Sequence, residues 1–355
     1  MSPLPALSRS KARPTQAPAA TAVRLRRVAF PKAHRTRMEH GWTSFAGVAV
    51  VAFALLHTPF ARAADFPVPF NTEKSASGPM PAQQAAATMK VPPGFHVTLF
   101  AAEPDVQQPI ALATDTRGRL WVAECYTYAE SKVNFETKLR DRIVILEDTD
   151  QDGRFDTRKV FWDQGQRLTS VELGFGGAWV TCAPQLLFIP DRNGDDIPDG
   201  EPEVKLDGFD GDRIRHTLVN GLRWGPDGWL YGRHGIQATS FVGAPGTPGD
   251  QRHKLNCGIW RYHPTRKTFE VVASGTTNPW GMDWNEFGEP FFVNTVIGHF
   301  WHVIPGAHYK PMYGEDLNTQ VYELIDQCAD HYHFDTGQGW TKSRATNEGI
   351  PAQAS

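Results

Sequence analysis

Two groups of residues in this 355-residue chain could do chemistry. The first surrounds Asn220–Gly235, NGLRWGPDGWLYGRHG, in which polar side chains stand at both ends of an apolar, turn-centred stretch. Arg233 offers a planar fork of donors that suits a carboxylate. His234 can exchange a proton near neutral pH, and so can His216 just upstream. Asn220 and Asn278, the latter in Asn278-Pro279-Trp280-Gly281, add amides that could hold a carbonyl. The second group is a pair of acidic loops. Asp148-x-Asp150-x-Asp152-Gly153-x-x-Asp156 spaces carboxylates as a calcium loop does. Ca²⁺ takes six to eight hard oxygens, and a Gly at the sixth position permits the bend. Lys159 stands at the twelfth position, so no EF-hand is expected. Asp191-x-Asn193-x-Asp195-x-x-x-Asp199 repeats the spacing less well, with Asp196 in place of the Gly. For either loop the alternative is a solvated acidic turn.

Such groups need a scaffold that presents loop ends. Strand-like runs Gly221–Trp224 and Trp229–Tyr231 flank the turn Gly225-Pro226-Asp227-Gly228. Pro presets φ for such a turn, and Gly accepts the positive φ that other residues resist. The same pattern begins at Ile110 (IALATDTRGRLWVAEC), Val171 (VELGFGGAWVTC), Leu222 (LRWGPDGWLYG) and Met282 (MDWNEFGEPFFV). Its turn glycines are Gly118, Gly177, Gly228 and Gly288. Second hairpins are expected from Arg142–Glu147 with Lys159–Trp162, Leu186–Ile189 with Glu203–Leu206, and Ile259–Tyr262 with Phe269–Val272. Four strands in each period of about 40–60 residues is the signature of a β-propeller blade. The spacing predicts an all-β propeller with about four blades in this chain, short of a closed ring.

Blade topology then sorts residues by face. With strands A to D running outward from the channel, residues just before A and just after B converge on one mouth. They are Glu124 and Tyr126, His216 and Asn220, Arg233 and His234, Asn278, and Asn294 with His299. The alternative for any one of them is a turn cap. Both acidic loops become C–D turns on the opposite face, so their calcium is expected to be structural. His331 and His333, with His299 and His302, could form a metal cluster, but no HxxxH-type spacing supports it.

Composition bounds the rest. The 11 Trp, 21 Phe, 32 Gly and 27 Pro favour strands and turns, and no long stretch has a helical apolar rhythm. Residues 1–63 hold 10 of the 36 Lys/Arg and one of the 39 acids, leaving 26 bases against 38 acids, a balance of −12. An acidic body without a basic run argues against nucleic acid. Cys125, Cys182, Cys257 and Cys328 form no CxxC or CxxCH, so neither a zinc ribbon nor a haem attachment is expected in this chain. Two disulfides or isolated core cysteines both fit. Residues 1–63 read as a secretory signal: a long basic n-region (Met38 is an alternative start), the apolar core Phe45–Leu56, and Ala61-Arg62-Ala63 before the cut. An uncleaved anchor is the alternative. Residues 64–90 read as a disordered Ala/Pro/Gln linker, 91–335 as the partial propeller, beginning with a strand Phe95–Phe100, and 336–355 as an irregular tail.

VPPGFHVTLFAAEPDVQQPIALATDTRGRLWVAE, the paired acidic loops, NGLRWGPDGWLYGRHG, CGIWRYHP, NPWGMDW and FWHVIPGAHY, in that order over about residues 91–335, resemble the N-terminal propeller of the membrane-bound dehydrogenases common in planctomycetes and verrucomicrobia. More distantly, the chain is similar to soluble quinoprotein glucose/sorbosone dehydrogenases, six-bladed propellers of the TolB-like type that bind PQQ and calcium. The resemblance implies an exported, periplasmic or envelope-associated protein and a cytochrome c domain or partner. It departs from the glucose dehydrogenases in several places: Thr277 precedes Asn278 where they have an Arg that contacts the quinone, and neither their catalytic His nor their calcium loop beside PQQ has a match in this chain. Three functions follow. In a quinoprotein-type oxidoreductase acting on a sugar or other alcohol, His234 or His216 takes the hydroxyl proton, Arg233 pairs with a PQQ carboxylate, and Asn220 and Asn278 hold carbonyls. In a metal-dependent lactonase-like hydrolase, Glu124, Asn220 and Asn278 hold one cation. In a non-catalytic propeller, the mouth binds a glycan or a protein.

Overall fold

The computed structural model describes residues 78–129, 133–212, 214, 216–295 and 298–329. Residues 1–63, which the sequence reads as a secretory signal, the linker up to residue 77, His331, His333 and the tail lie outside the described residues. Ala82–Thr88 (α1) forms one short helix within the stretch expected to be a disordered linker. Its run AQQAAAT has few residues that resist helix, and none of it is buried. Among the described residues no helix is long and apolar enough to cross a membrane.

Beyond it the chain forms successive antiparallel sheets, as the repeats predict. Blade 1 is β1 (Pro109–Thr114), β2 (Leu120–Glu124), β3 (Asp141–Glu147) and β4 (Thr157–Gly165). Blade 2 is β5 (Leu168–Leu173), β6 (Gly177–Cys182), β7 (Gln185–Pro190) and β8 (Glu203–Asp207). Blade 3 begins with β9 (Asn220–Trp224) and β10 (Leu230–His234). A small hairpin, β11 (Ser240–Val242) with β12 (His253–Leu255), then interrupts it before β13 (Gly258–His263) and β14 (Thr268–Gly275). Blade 4 is β15 (Pro279–Trp284), β16 (Pro290–Asn294) and β17 (Phe300–His302). β18 (His308–Tyr309) then returns to pair in parallel with β14. The result is a four-bladed portion of a β-propeller.

Alternation buries both faces of the inner strands, and the core sits in the seams. Trp121, Ile143 and Ile145 of blade 1 meet Val171, Val180 and Ile189 of blade 2. Trp179 and Phe188 meet Leu222, Leu230 and Trp260 across the next seam. Tyr231 and Ile259 meet Met282, Phe292 and Trp301 across the third. The far face of blade 1, carrying Val122, Val144 and Leu146, is covered by Phe100, Ala101 and Val106. That is the task of the segment expected to be a strand at Phe95–Phe100: it covers a sheet face and pairs with no strand, and Phe155 N–H donates to its Phe100 carbonyl.

The tight turns lie where the repeat puts them, with one shift. Gly118, Gly228 and Gly288 have φ near +80°. In blade 2 the residue doing this is Gly176 (φ 76°), while Gly177 already belongs to β6. Every blade also has a register shift at the upper end of its A–B pair: Pro109/Ala111, Leu168/Ser170, Tyr231/Arg233 and Pro279/Gly281. Such a bulge bends the strand and re-aims the side chains beyond it. Of the four cysteines, Cys125, Cys182 and Cys257 are buried and free, and Cys328 is exposed and free, so no disulfide staples the fold.

Candidate functional site

The links that enter strand A and the ends of strand B gather on one face, here called upper. These links carry unusual backbone: Gln108, Arg167 and Thr276 all have positive φ. Non-Gly residues held there cluster at functional sites more than elsewhere. Asn278 is fixed by its neighbours. Its N–H donates to Asn294 Oδ1 (3.1 Å), which also accepts from Thr276 Oγ1 (3.1 Å), and Asn294 Nδ2 donates to the Gly298 carbonyl (2.8 Å). Asn278 Nδ2 faces the His216 carbonyl at 3.5 Å, so His216 and Asn278 are brought together. The His216 side chain is exposed, and His299 is half-buried.

Asn220 and Arg233 are cross-strand partners at the bulge. Asn220 Nδ2 donates to the Leu218 carbonyl (2.9 Å). Both asparagines therefore spend their donors on backbone carbonyls, and both leave a buried Oδ1 with no partner. They are set to accept a hydrogen bond, whereas the sequence suggested donors to a carbonyl. Arg233 reaches from blade 3 to blade 4, where Nε (2.9 Å) and Nη2 donate to the Trp280 carbonyl, while its buried Nη1 has no partner. Burial, with Arg223 nearby, pulls this guanidinium down to about 9, and Glu172 offsets the shift only in part. Gly221 makes room for it: an added Cβ would lie 2.1 Å from the Arg233 guanidinium.

Two residues expected at the mouth do other work. His234 is fully buried; its Nδ1–H donates to the Gly235 carbonyl (2.7 Å) and its Nε2 accepts from Ser240 Oγ (2.8 Å). Desolvation lowers its pKa to about 4. With both ring nitrogens already hydrogen-bonded within the fold, it has no free lone pair to take a proton from a ligand at the mouth, and that assignment is corrected. Glu124 is also fully buried. It pairs with Arg142 and accepts from Gln107 N–H (2.8 Å) and Tyr126 Oη (3.3 Å) on the face of blade 1 turned away from blade 2. It does not join Asn220 and Asn278, because the Arg142 charge in β3 claims it first.

Glu172, Arg223 and Asp283 were not singled out in the sequence, yet they stand near Arg233 or one another on the innermost strands. Arg223 lies 3.5 Å from Asp283, and burial raises the Glu172 carboxyl. A signal existed: all three occupy the same position of the repeat, VEL, LRW and MDW. Ser240, Asp210 and Gln237 carried no such signal.

The acidic loops lie on the opposite face. In the first, ligand oxygens of Asp148, Asp150 and Asp156 all come within 4.8 Å of one another. Asp152 instead accepts from Arg154 N–H (2.8 Å) within its own turn. Asp148 accepts from the N–H groups of Gln151 and Gly153, and Thr149 holds the Asp156 carboxyl below its ordinary range. In the second, protein cations meet the charge. Arg119 grips Asp196 with two bonds of 2.7 Å, and Lys159 donates to the Asp195 carbonyl (2.6 Å). Asp191 accepts from the N–H groups of Asp195 and Asp196, Asn193 donates to Asp195, and Asp199 accepts from Arg192 N–H. Among the described residues this second loop gathers no carboxylate cluster of the first kind. The second loop is the poorer copy that its spacing suggests, with its charge met by Arg119 and Lys159.

Several solved structures are similar to the chain. The PQQ-bound aldose sugar dehydrogenase of Streptomyces coelicolor is 17% identical, with a TM-score of 0.39 over 57% of this chain and 62% of that one. A candidate oxidoreductase (glucose dehydrogenase) of Thermus thermophilus is 20% identical, with a TM-score of 0.37 over 58% and 64%. A candidate 6-phosphogluconolactonase of Bacteroides fragilis is 15% identical, with a TM-score of 0.38 over 66% and 62%. The chain thus spans a little under two thirds of the length of each. No curated protein matches it. A family model does, over residues 81–343, and by that match the chain belongs to the family described as Domain of unknown function (DUF7133).

Proposed function

We propose that the upper face is the active site of an exported quinoprotein-type oxidoreductase that oxidises a sugar or other alcohol. One observation carries this: Arg233 is a desolvated cation whose Nη1 has no partner and whose other donors meet only a carbonyl. A buried unpaired charge is costly, and a carboxylate relieves it best. PQQ is a polycarboxylate, so Arg233 fits it at this point; when bound, PQQ supplies a two-electron acceptor. The orphaned Oδ1 atoms of Asn220 and Asn278 favour hydroxyl donors. Each such atom costs about 1–3 kcal/mol while unpaired, which a substrate O–H would recover. His216, exposed beside Asn278, takes the hydroxyl proton. The lactonase alternative loses its carboxylate, because Glu124 is held by Arg142.

Three companion proposals come with this function. The first acidic loop takes a structural Ca²⁺ on Asp148, Asp150 and Asp156. A cytochrome c domain or partner accepts the electrons. The protein works in the periplasm or at the cell envelope, within the membrane-bound dehydrogenase group that its motifs resemble.

The test is addition of PQQ and calcium to the purified protein, with dye reduction by sugars and alcohols as the readout. Dye reduction that His216→Ala lowers by about 10²–10⁴-fold is the expected result. No effect of PQQ on either dye reduction or Trp fluorescence overturns the proposal. EDTA-sensitive lactone hydrolysis would favour the hydrolase instead.

A further inference from the structure

Beside the mouth lies an open cavity of about 720 Å³, with the β11–β12 hairpin as one wall. Strand alternation builds that wall. Ser240, Val242 and Leu255 turn into the core, which leaves Phe241 and Lys254, direct cross-strand partners, on the other side. Both line the cavity, and Phe241 is 49% exposed. Asp210, Gln237 and Asn256 line it with them.

The wall is firmly held. Asp207 and Gly243 exchange two backbone hydrogen bonds (2.9 and 3.2 Å), which fasten the hairpin to β8. Arg252 ties Asp207 to the carbonyls of Phe241 (3.2 Å) and Thr247 (3.0 Å). Asn256 Nδ2 donates to the carbonyls of Ile236 (3.1 Å) and Ala238 (3.0 Å). Asp210 N–H donates to Ser240 Oγ (2.9 Å), whose own proton goes to the buried His234. The histidine expected to be a base is therefore part of the cavity's support. Gln237 joins cavity to mouth: its Oε1 accepts from Thr217 Oγ1 (3.1 Å), next to His216.

A flat, exposed ring flanked by amides, one carboxylate and one ammonium suits a neutral sugar. The C–H face of a pyranose covers the ring, and its hydroxyls find both donors and acceptors around the rim. The opposite charges of Asp210 and Lys254 largely offset each other, so the cavity favours neither an anionic nor a cationic ligand. The volume lies within the range of about 300–1,000 Å³ usual for small-molecule sites. We infer that this cavity is a second sugar subsite. The substrate is then a di- or oligosaccharide, with its reacting unit at Asn220, Asn278 and His216 and the next unit against Phe241. The inference rests on the mouth being a sugar site, but binding can be measured without turnover.

Calorimetric titration of the protein with glucose and galactose, and with cellobiose, maltose and lactose, tests it. At least one disaccharide should bind tenfold or more tightly than its monosaccharides. Phe241→Ala should erase that advantage and Phe241→Tyr should keep it, both at an unchanged melting temperature. Equal binding of mono- and disaccharides, no sugar binding at all, or a preference that survives Phe241→Ala overturns the subsite. A Phe241-dependent preference in a protein that reduces no dye keeps the subsite and removes the oxidoreductase.

Discussion

His216 and His234 show how little residue type decides. Both are histidines near the upper face, yet one meets solvent and the other is sealed against Ser240 and the Gly235 carbonyl. His234→Ala should therefore lower the melting temperature, whereas His216→Ala should lower turnover at constant melting temperature; circular dichroism beside the dye assay separates the two. A second consequence is a pH dependence. His234 titrates near 4 in the fold against an ordinary 6.5, so the unfolded chain takes its proton first and stability falls as pH drops from 6.5 to 4. Asp141, whose carboxylate accepts from Thr127 N–H (2.7 Å), Thr127 Oγ1 (2.8 Å) and Leu168 N–H (2.9 Å), is raised by burial from 3.8 to about 6. For it the folded chain takes the proton first, and stability rises as pH drops from 6 to 3.8. Each effect is worth about 3 kcal/mol at most, and over the shared window they oppose each other. Urea midpoints should stay nearly level between pH 6 and 4.5 in the wild type. They should fall with acidification in Asp141→Asn and rise in His234→Gln.

Turns and loops carry the next two predictions. Gly221 has φ +63° and no space for a Cβ beside Arg233. Gly221→Ala combines backbone strain with a clash, and should cost roughly 2 kcal/mol or more in a urea melt. It should also weaken the PQQ response, since Arg233 must move. The two acidic loops look alike in sequence but differ in partners. The first leaves three carboxylates facing one another, while blade 1 lends Arg119 to the second. Calcium at about a hundredfold excess over its Kd should add about 2.7 kcal/mol to stability. Asp150→Asn should remove that gain and Asp191→Asn should leave it intact; a calcium-independent melting temperature in the wild type sinks the site.

For the whole molecule, the repeat was legible because each blade needs the same Gly-bearing turn followed by an aromatic strand. Gly118, Gly228 and Gly288 all serve in that way. The acidic balance was legible too, and duplex DNA at about 0.1 M salt should leave the protein's sedimentation unchanged. The face on which each loop emerges follows from blade topology alone. What did not follow is which side chains at the mouth are free.

Glu124, Cys182, His234 and Asn294 each end the second strand of a blade, and all are buried. Sequence order places them at the upper face. A bulge at the top of every first strand then shifts the pairing, and a shift of one residue exchanges inside for outside. Local sequence thus determined the turns, the strands, the blade period and the acidic loops, because these depend on neighbours a few residues away. Only the tertiary structure decided that Arg142 takes Glu124, that Ser240 takes His234 and that Arg119 takes Asp196. Those partners come from other strands and other blades, and the desolvation that makes each pairing obligatory exists only once the seams have closed.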